Sequence, residues 1–379
     1  MHLYVHIPFC KQACYYCDFH FSTNLSLKEK MVDAICTEIE LQKDYLQNKK
    51  LQTIYFGGGT PSLLSGGDFE KIFKTISNLY DLSSLEETTI ETNPDDISLE
   101  KINEWKAFGI DRVSLGIQTF DNDLLKFMNR AHDSHQSLEA LSLLLNNDLE
   151  NITIDLIYAK NAKKFDLEKQ NSILRNDLDI IEKYNLKHIS AYNLTIEDST
   201  VFGKWVKQKK LEPIGEDYAA EQYEILIESL TAQGFEQYEV SNFAKNGKYA
   251  LHNSAYWKNE EYLGVGPSAH SYNRFSRQSN ISNNSKYIDT VASHKVPFSL
   301  ETLGVSDKAN DYLLCGLRTI WGIDTKKISQ IVGEIPQTFW DALDILKNKN
   351  LVVQSGDSIK ITSQGRIFSD KIASDLFFD

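Results

Sequence analysis

Six short apolar runs punctuate the first half of the chain. They are LYVHI at 3–7, TIYFG at 53–57, TTIET at 88–92, RVSLGIQ at 112–118, ITIDLI at 152–157 and HISAYNL at 188–194. Each is rich in β-branched or aromatic residues, ends in a polar or glycine-rich turn and has the length of a strand. Between them, apolar residues recur at helical spacing. The first helical stretch, LKEKMVDAICTEIE, is predicted to start at a capping box of Ser26 and Glu29. The second carries Phe69, Ile72, Phe73, Ile76 and Leu79. The third carries Leu99, Ile102 and Trp105 and stops at Gly109. Such alternation predicts an α/β fold of parallel strands joined by crossover helices, either an incomplete barrel or an open sheet. In both, ligands gather at the carboxyl ends of the strands.

Near residue 200 the pattern changes. EDYAAEQYEILIESL reads as a helix, and the polar stretch RQSNISNNSKY at 277–287 reads as a loop or linker. After residue 305, helical runs lead to LVVQSGDSIKIT, a β-hairpin pattern, and then to a last helix, together a winged-helix-like unit. Units of that kind often bind DNA, but residues 306–379 hold ten acidic and nine basic residues, which favours packing or protein contact. The expected domains are 1–200, 201–305 and 306–379.

The densest chemistry lies in CKQACYYCDF, where Cys10, Cys14 and Cys17 are spaced C-x-x-x-C-x-x-C. A structural zinc site closes with four ligands. Three thiolates suit three irons of a 4Fe–4S cluster, leaving one iron open to a small molecule. Zinc with His6 or His20 as fourth ligand is the alternative, and a disulfide is another. Five cysteines in 379 residues form no disulfide framework. The opening MHLYVHIPFC has no basic segment followed by an apolar run, and no stretch approaches the ~20 apolar residues of a membrane span. A reducing, cytoplasmic setting is expected. Cys36, among Val32, Ile35 and Ile39, and Cys315, in DYLLCGLRT, read as inert core thiols. A net charge of −13 argues against nucleic acid as the main partner.

After the second run comes YFGGGTPS, residues 55–62, whose glycines let backbone approach a ligand closely. A tight strand-to-helix turn is the plainer explanation. Glu91 and Gln118 occupy the same strand-end position after the third and fourth runs, and Asp155 sits inside the fifth. A carboxylate in an apolar strand needs a partner or a ligand. Together these residues indicate one shared pocket.

YVHIPFCKQACYYCDF, YFGGGTPS, IETNPDD, LGIQTFDNDLLKFMNRAH, DLIY and HNSAYWKNEEYLGVGPSAHS, in this order, resemble the radical S-adenosylmethionine (SAM) proteins of the oxygen-independent coproporphyrinogen III oxidase group. The likeness extends over nearly the whole chain. The oxidases continue the triplet as C-x-x-x-C-x-x-C-x-C. Here Phe19 takes the last place, and CDF with HNSAYW resembles the HemW-type heme chaperones. The resemblance implies a partial (β/α)6 TIM-like radical SAM barrel with a C-terminal α+β extension and a small winged-helix-like domain. It implies a 4Fe–4S cluster on Cys10, Cys14 and Cys17, and SAM contacts at Tyr4, Tyr16, Gly58, Gly59, Thr60 and Glu91. Gln118, Arg130 and Asp155 would line the pocket, although the sequence around Arg130 alone reads as a surface helix end. His252, heading HNSAYW, would ligate heme with Tyr256 and Trp257 covering the porphyrin; His270 reads as structural. The partners implied are heme and heme-accepting proteins. The alternative is coproporphyrinogen III oxidation by a 5′-deoxyadenosyl radical, which Phe19 disfavours. One departure stands out: the family's DLIYG-(L/I)-P becomes DLIYAKNAKKFD. Ala159 adopts positive φ less easily than glycine, so contacts beside Asp155 are expected to change.

Overall fold

The computed structural model describes residues 1–160 and 166–379. Six parallel strands follow the six apolar runs: β1 (His2–Ile7), β2 (Thr53–Gly58), β3 (Glu87–Thr92), β4 (Arg112–Gln118), β5 (Ile152–Tyr158) and β6 (His188–Asn193). They pair in chain order, each with the next. The crossovers carry α1 (Lys28–Leu41), α2 (Gly66–Leu79), α3 (Leu99–Ala107), α4 (Asn122–Phe127), α5 (Ser134–Leu145) and α6 (Leu167–Lys183). This is the partial (β/α)6 barrel.

Both edges of the six-stranded unit are extended by later chain. Beyond α7 (Val201–Lys207) and α8 (Glu216–Ala232), β7 (Glu236–Gln237) and β8 (Asn242–Ala244) add antiparallel beside β6. After α9 (Leu251–Trp257), β9 (Tyr262–Val265) pairs parallel with β1. β10 (His270–Tyr272), β11 (Ser276–Asn280) and β12 (Phe298–Thr302) continue outward, with α10 (Asn284–Ala292) inserted before β12. The result is one twelve-stranded sheet.

The C-terminal segment has its own apolar cluster, including Leu313, Ile328, Leu343, Ile359 and Ile372. Its elements are α11 (Val305–Leu317), β13 (Ile323–Asp324), α12 (Thr325–Val332), α13 (Gln337–Asn348), β14 (Val352–Ser355), β15 (Ser358–Ile361) and α14 (Ser369–Asp375). Helices followed by a hairpin make the winged-helix arrangement.

Because side chains alternate along a strand, each barrel strand shows one apolar and one largely polar face. Leu3, Val5 and Ile7, Ile54 and Phe56, and Val113, Leu115 and Ile117 are buried in the main core. The alternate positions line the barrel's inside. At the starts of the strands they form a buried polar chain. His2 Nδ1 lies 2.9 Å from Thr53 Oγ1, Arg112 Nη2 donates to Thr153 Oγ1 at 2.6 Å, and His188 bridges Thr153 Oγ1 and the Tyr238 hydroxyl at 3.1 and 2.8 Å. Buried polar groups must be paired, and these pair with one another.

Three sequence readings are corrected. Ser26 and Glu29 form no capping box; Asn24 caps a 3-10 turn at Leu25–Leu27 by accepting from the Ser26 N–H, and α1 begins after it. Capping boxes occur instead at Ser65 with Asp68 and Asp133 with Gln136. Residues 277–287 are no linker, since they include most of β11 and the start of α10. Two of their buried polar side chains, Asn280 and Tyr287, are satisfied by Glu38 of α1. The Glu38 carboxylate accepts from Asn280 Nδ2 and the Gly266 N–H, each at 2.7 Å, from Gln42 Nε2 at 3.0 Å, and from the Tyr287 hydroxyl. Cys36 is buried as expected, whereas Cys315 is only half-buried, its thiol pushed up by burial to about 11.

Glu38→Ala would strand these donors. We expect it to lower the unfolding free energy by roughly 3 kcal/mol, measured by urea denaturation, with Glu38→Gln costing less. A change under about 0.5 kcal/mol, the level of an ordinary surface substitution, would show that the network does not hold the added strands.

Candidate functional site

A cavity of about 560 Å³ opens at the carboxyl ends of the strands. The cysteine loop after β1 forms its rim, with Cys10, Cys14 and Cys17 on the wall and Tyr16 between them. The loop is held by its neighbours rather than by internal structure. Asn129, at a φ of 57° in the left-handed region, donates from Nδ2 to the Ala13 carbonyl at 2.8 Å and accepts from Gln12 Nε2 at 2.9 Å. The Tyr15 N–H donates to the Met128 carbonyl at 3.1 Å, and Lys11 pairs with Asp95 and Asp96.

The glycine turn after β2 faces the cysteine loop, and Gly58, Gly59 and Thr60 line the cavity. Its missing Cβ atoms have a different use from the one expected. At Gly58, where φ is 104°, a Cβ would lie 2.4 Å from the His6 ring; at Gly59 it would lie 2.6 Å from the Phe9 carbonyl. The absent side chains make room for β1 and its loop, not for a ligand. The N–H groups are also committed, Gly58 to Glu91 Oε2 at 2.9 Å, Gly59 to the Ile7 carbonyl at 2.9 Å and Thr60 to the Phe9 carbonyl at 2.7 Å. What this turn can offer a ligand is carbonyl oxygen, an acceptor suited to an ammonium group.

Glu91 is held by both oxygens, accepting from the Tyr55 hydroxyl at 2.8 Å as well as from Gly58, and burial raises its pKa. Arg130 is a wall residue, not the surface helix end that its local sequence suggests. Nη1 lies 3.3 Å from both Cys14 Sγ and the Tyr16 oxygen, while Nη2 donates to Asn93 Oδ1 at 2.6 Å and the Gly116 carbonyl at 2.7 Å. Its Nε is buried without a partner among the described residues. Gln118 ends β4 beside a register shift with a φ of 70°, the kind of local strain that accumulates at functional sites. Asp155 faces the same space. Burial, and then the Glu91 charge, push its carboxyl up to about 7 against the pull of Arg130 and of hydrogen bonds from Ser190 and Ser114.

Two expected residues lie elsewhere. Tyr4 is stacked on Tyr55, ring centroids 6.0 Å apart, with its hydroxyl 3.1 Å from His6 Nδ1. It supports the wall without forming it. His252 is 1% exposed. Nδ1 lies 2.6 Å from Thr53 Oγ1 and Nε2 lies 2.8 Å from the Tyr256 hydroxyl, so neither nitrogen is open to iron in this arrangement. Trp257 carries the Arg318 guanidinium over its ring at 5.8 Å, and His270 is exposed. At the departure after β5, Ala159 does take a positive φ, 56°, and Lys160 is buried with Nζ 3.4 Å from the Gln118 carbonyl. Residues 161–164 lie outside the described residues. Asn93 and Asn129, which tie the rim to the wall, were not singled out from sequence. Their signal is faint: an Asn ahead of Pro94 and an Asn at a helix end.

The donor set fits a cluster. Cys10, Cys14 and Cys17 line one cavity, and a cluster needs thiolates round a shared space, each on its own iron. Both ring nitrogens of His6 are engaged, one by Tyr4 and one by the His20 carbonyl, and His20 Nε2 lies 2.7 Å from Asn284 Oδ1. Burial pushes the Cys10 thiol up to about 11 and the Cys17 thiol up to about 12. Metal coordination deprotonates such thiols, so loading would release protons.

The comparisons agree with this geometry. The radical SAM superfamily profile matches residues 4–166. A heme chaperone HemW of Lactococcus lactis subsp. lactis is 33% identical over 99% of this chain and 97% of its own length. The chain belongs to the HemW family. The family's Bacillus subtilis heme chaperone HemW is 31% identical, covering 97% of both chains. The family fold matches the solved structure of coproporphyrinogen III oxidase (HemN) from Escherichia coli, a radical SAM enzyme, with a TM-score of 0.83 at 21% identity, covering 99% of this chain and 89% of that one. Membership of the radical SAM superfamily brings SAM and a 4Fe–4S cluster as cofactors.

The pKa of Asp155 makes a stability prediction. With its folded value near 7, above the ~3.9 of a free aspartate, the folded chain keeps a proton that the unfolded chain releases. Stability from this group is full below about pH 4 and is lost as pH rises to 7. Asp155→Asn does not titrate. In cluster-free protein, the stability of the parent relative to the variant should therefore fall between pH 5.5 and 7.5, by at most about 1.4 kcal/mol per unit, and level off above 8. Urea melts across this range giving a pH-independent difference would contradict the assignment.

Proposed function

We propose that this protein is a heme chaperone that holds a 4Fe–4S cluster on Cys10, Cys14 and Cys17, binds SAM in the adjoining cavity, and hands heme to acceptor proteins. Phe19 carries the choice between the two activities of the wider group. Where the oxidases continue with a fourth cysteine, this chain places an apolar ring on the cavity rim, 73% exposed. Phe21 lines the cavity beside it. An exposed aromatic at the mouth of a site suits a flat apolar ligand and adds nothing to thiol chemistry.

The residues divide the work. The thiolates would hold three irons. The turn at Gly58 and Gly59 would accept from the SAM ammonium, and Arg130 would receive its carboxylate. Glu91 keeps the turn in place through Gly58, and Asn93 and Asn129 hold the rim against the wall. Cluster and SAM together supply one-electron chemistry when bound; the protein positions them and shapes the mouth. Heme coordination is assigned to no side chain, since His252 has both nitrogens engaged. No helix among the described residues is long and apolar enough to cross a membrane. We place the protein in the cytoplasm, where thiols stay reduced for metal. The segments 1–200, 201–305 and 306–379 are proposed as barrel, extension and winged-helix unit.

Anaerobic reconstitution tests the cluster. The parent should bind about four irons and four sulfides and lose the absorption on Cys14→Ala, but keep it on Cys36→Ala. A full complement of iron in Cys14→Ala would overturn the ligand assignment. On the same sample, heme titration should give a Soret band, and coproporphyrinogen III under strict anoxia should remain unconverted. Turnover without heme binding would replace the chaperone reading with the oxidase.

A further inference from the structure

The HNSAYW segment was expected to present a histidine to iron, yet the structure turns that histidine inward and leaves its neighbour on the cavity wall. Asn253, the next residue of α9, lines the cavity alongside Tyr55 and Asp155. Its side-chain amide makes no hydrogen bond among the described residues, although it is only partly exposed. An amide carries both a donor and an acceptor, and one left unpaired on a cavity wall is available to a polar ligand.

His252 explains why the amide stays there. Its ring is fastened at both nitrogens, to Thr53 of β2 and to Tyr256 one turn along its own helix. The ring also packs on Tyr55 at 5.0 Å between centroids, and Tyr55 holds Glu91. At the start of α9, Glu87 of β3 accepts from the N–H groups of Leu251 and His252 at 2.9 and 3.0 Å. This contact satisfies two of the amides that a helix start leaves free. The helix is therefore pinned to two barrel strands at the two residues before Asn253.

We infer that HNSAYW belongs to the small-molecule site of the barrel. Asn253 is a binding residue, giving its amide to the polar nucleoside–amino acid ligand of the cavity, and His252 is a positioning residue that aims it. This rests on the reading that the cavity takes SAM.

The test uses the full-length reconstituted protein, with SAM affinity measured by equilibrium dialysis and by the SAM-induced change in the EPR spectrum of the reduced cluster. Asn253→Ala should weaken SAM binding about tenfold, the scale of one or two lost hydrogen bonds, with cluster content unchanged and Asn253→Ser recovering part of the loss. His252→Gln should weaken SAM binding in the parent background but hardly at all once Asn253→Ala is present, because its effect passes through the amide. Heme added to His252→Gln should give the parental Soret band. Parent protein that binds no SAM would overturn both the cavity reading and this inference. A parent that binds SAM while Asn253→Ala binds it equally well would overturn the inference alone. Losses that add, or a Soret band displaced by His252→Gln, would remove His252 from the positioning role. If His252→Gln does not fold, Asn253→Ala and Asn253→Ser still decide the binding role.

Discussion

The site depends on how closely two loops can approach. β1 and β2 are neighbours, and the loops that leave them must both fit at the same end of the barrel. They fit because the end of β2 has no side chains. At Gly58 and Gly59 the space a Cβ would need is already filled by His6 and by the Phe9 carbonyl. Hydrogen bonds from Gly59 and Thr60 to Ile7 and Phe9 then lock the two loops together. This contact fixes the start of the cysteine loop beside the carbonyls of the turn, so the thiols and the acceptors for a bound amino acid meet in one cavity.

The second constraint is the polar inside of the barrel. An interior filled with branched apolar side chains closes a barrel into a solid core. Here the lower interior is filled by paired polar groups running from His2 to His188. Above them Asp155, Ser114, Ser190 and Glu91 are partnered but leave an open space. The polar chain tolerates burial because its members hydrogen-bond one another, while the groups above it line the cavity. Arg130 suits that position: burial opposes its charge, but the oxygen of Tyr16 and the thiol of Cys14 favour it.

Much of this was legible in the chain. The six strands follow the apolar runs to within about a residue, because a strand with one apolar and one polar face leaves a period-2 signal that turns interrupt sharply. The thiol spacing and the glycine turn marked the correct end of the barrel. What stayed hidden depends on partners remote in sequence. The strand at 276–280 buries Asn280, whose amide is met by Glu38, more than two hundred positions earlier, and by the Gly266 carbonyl. Arg130 looks like a surface residue until the cysteine loop is laid over it. The glycines announce missing side chains without saying whether protein or ligand takes up the room. His252 and Asn253 are adjacent, and nothing in their order says which one faces the cavity.

The pairing of β1 with β9 has a consequence for how the molecule is made. His2 lies opposite Tyr262, and the His2 ring reaches Glu260 at 2.8 Å. β1 therefore receives its second neighbour only after some 260 residues have followed it. Until then one edge of β1 has unpaired backbone groups, an invitation to mispairing. Pairing across so long a stretch of chain is slow to form. A chain halted after β6 would hold the cysteine loop on a sheet with an open flank, so the cluster site reaches its final form only when the extension has docked.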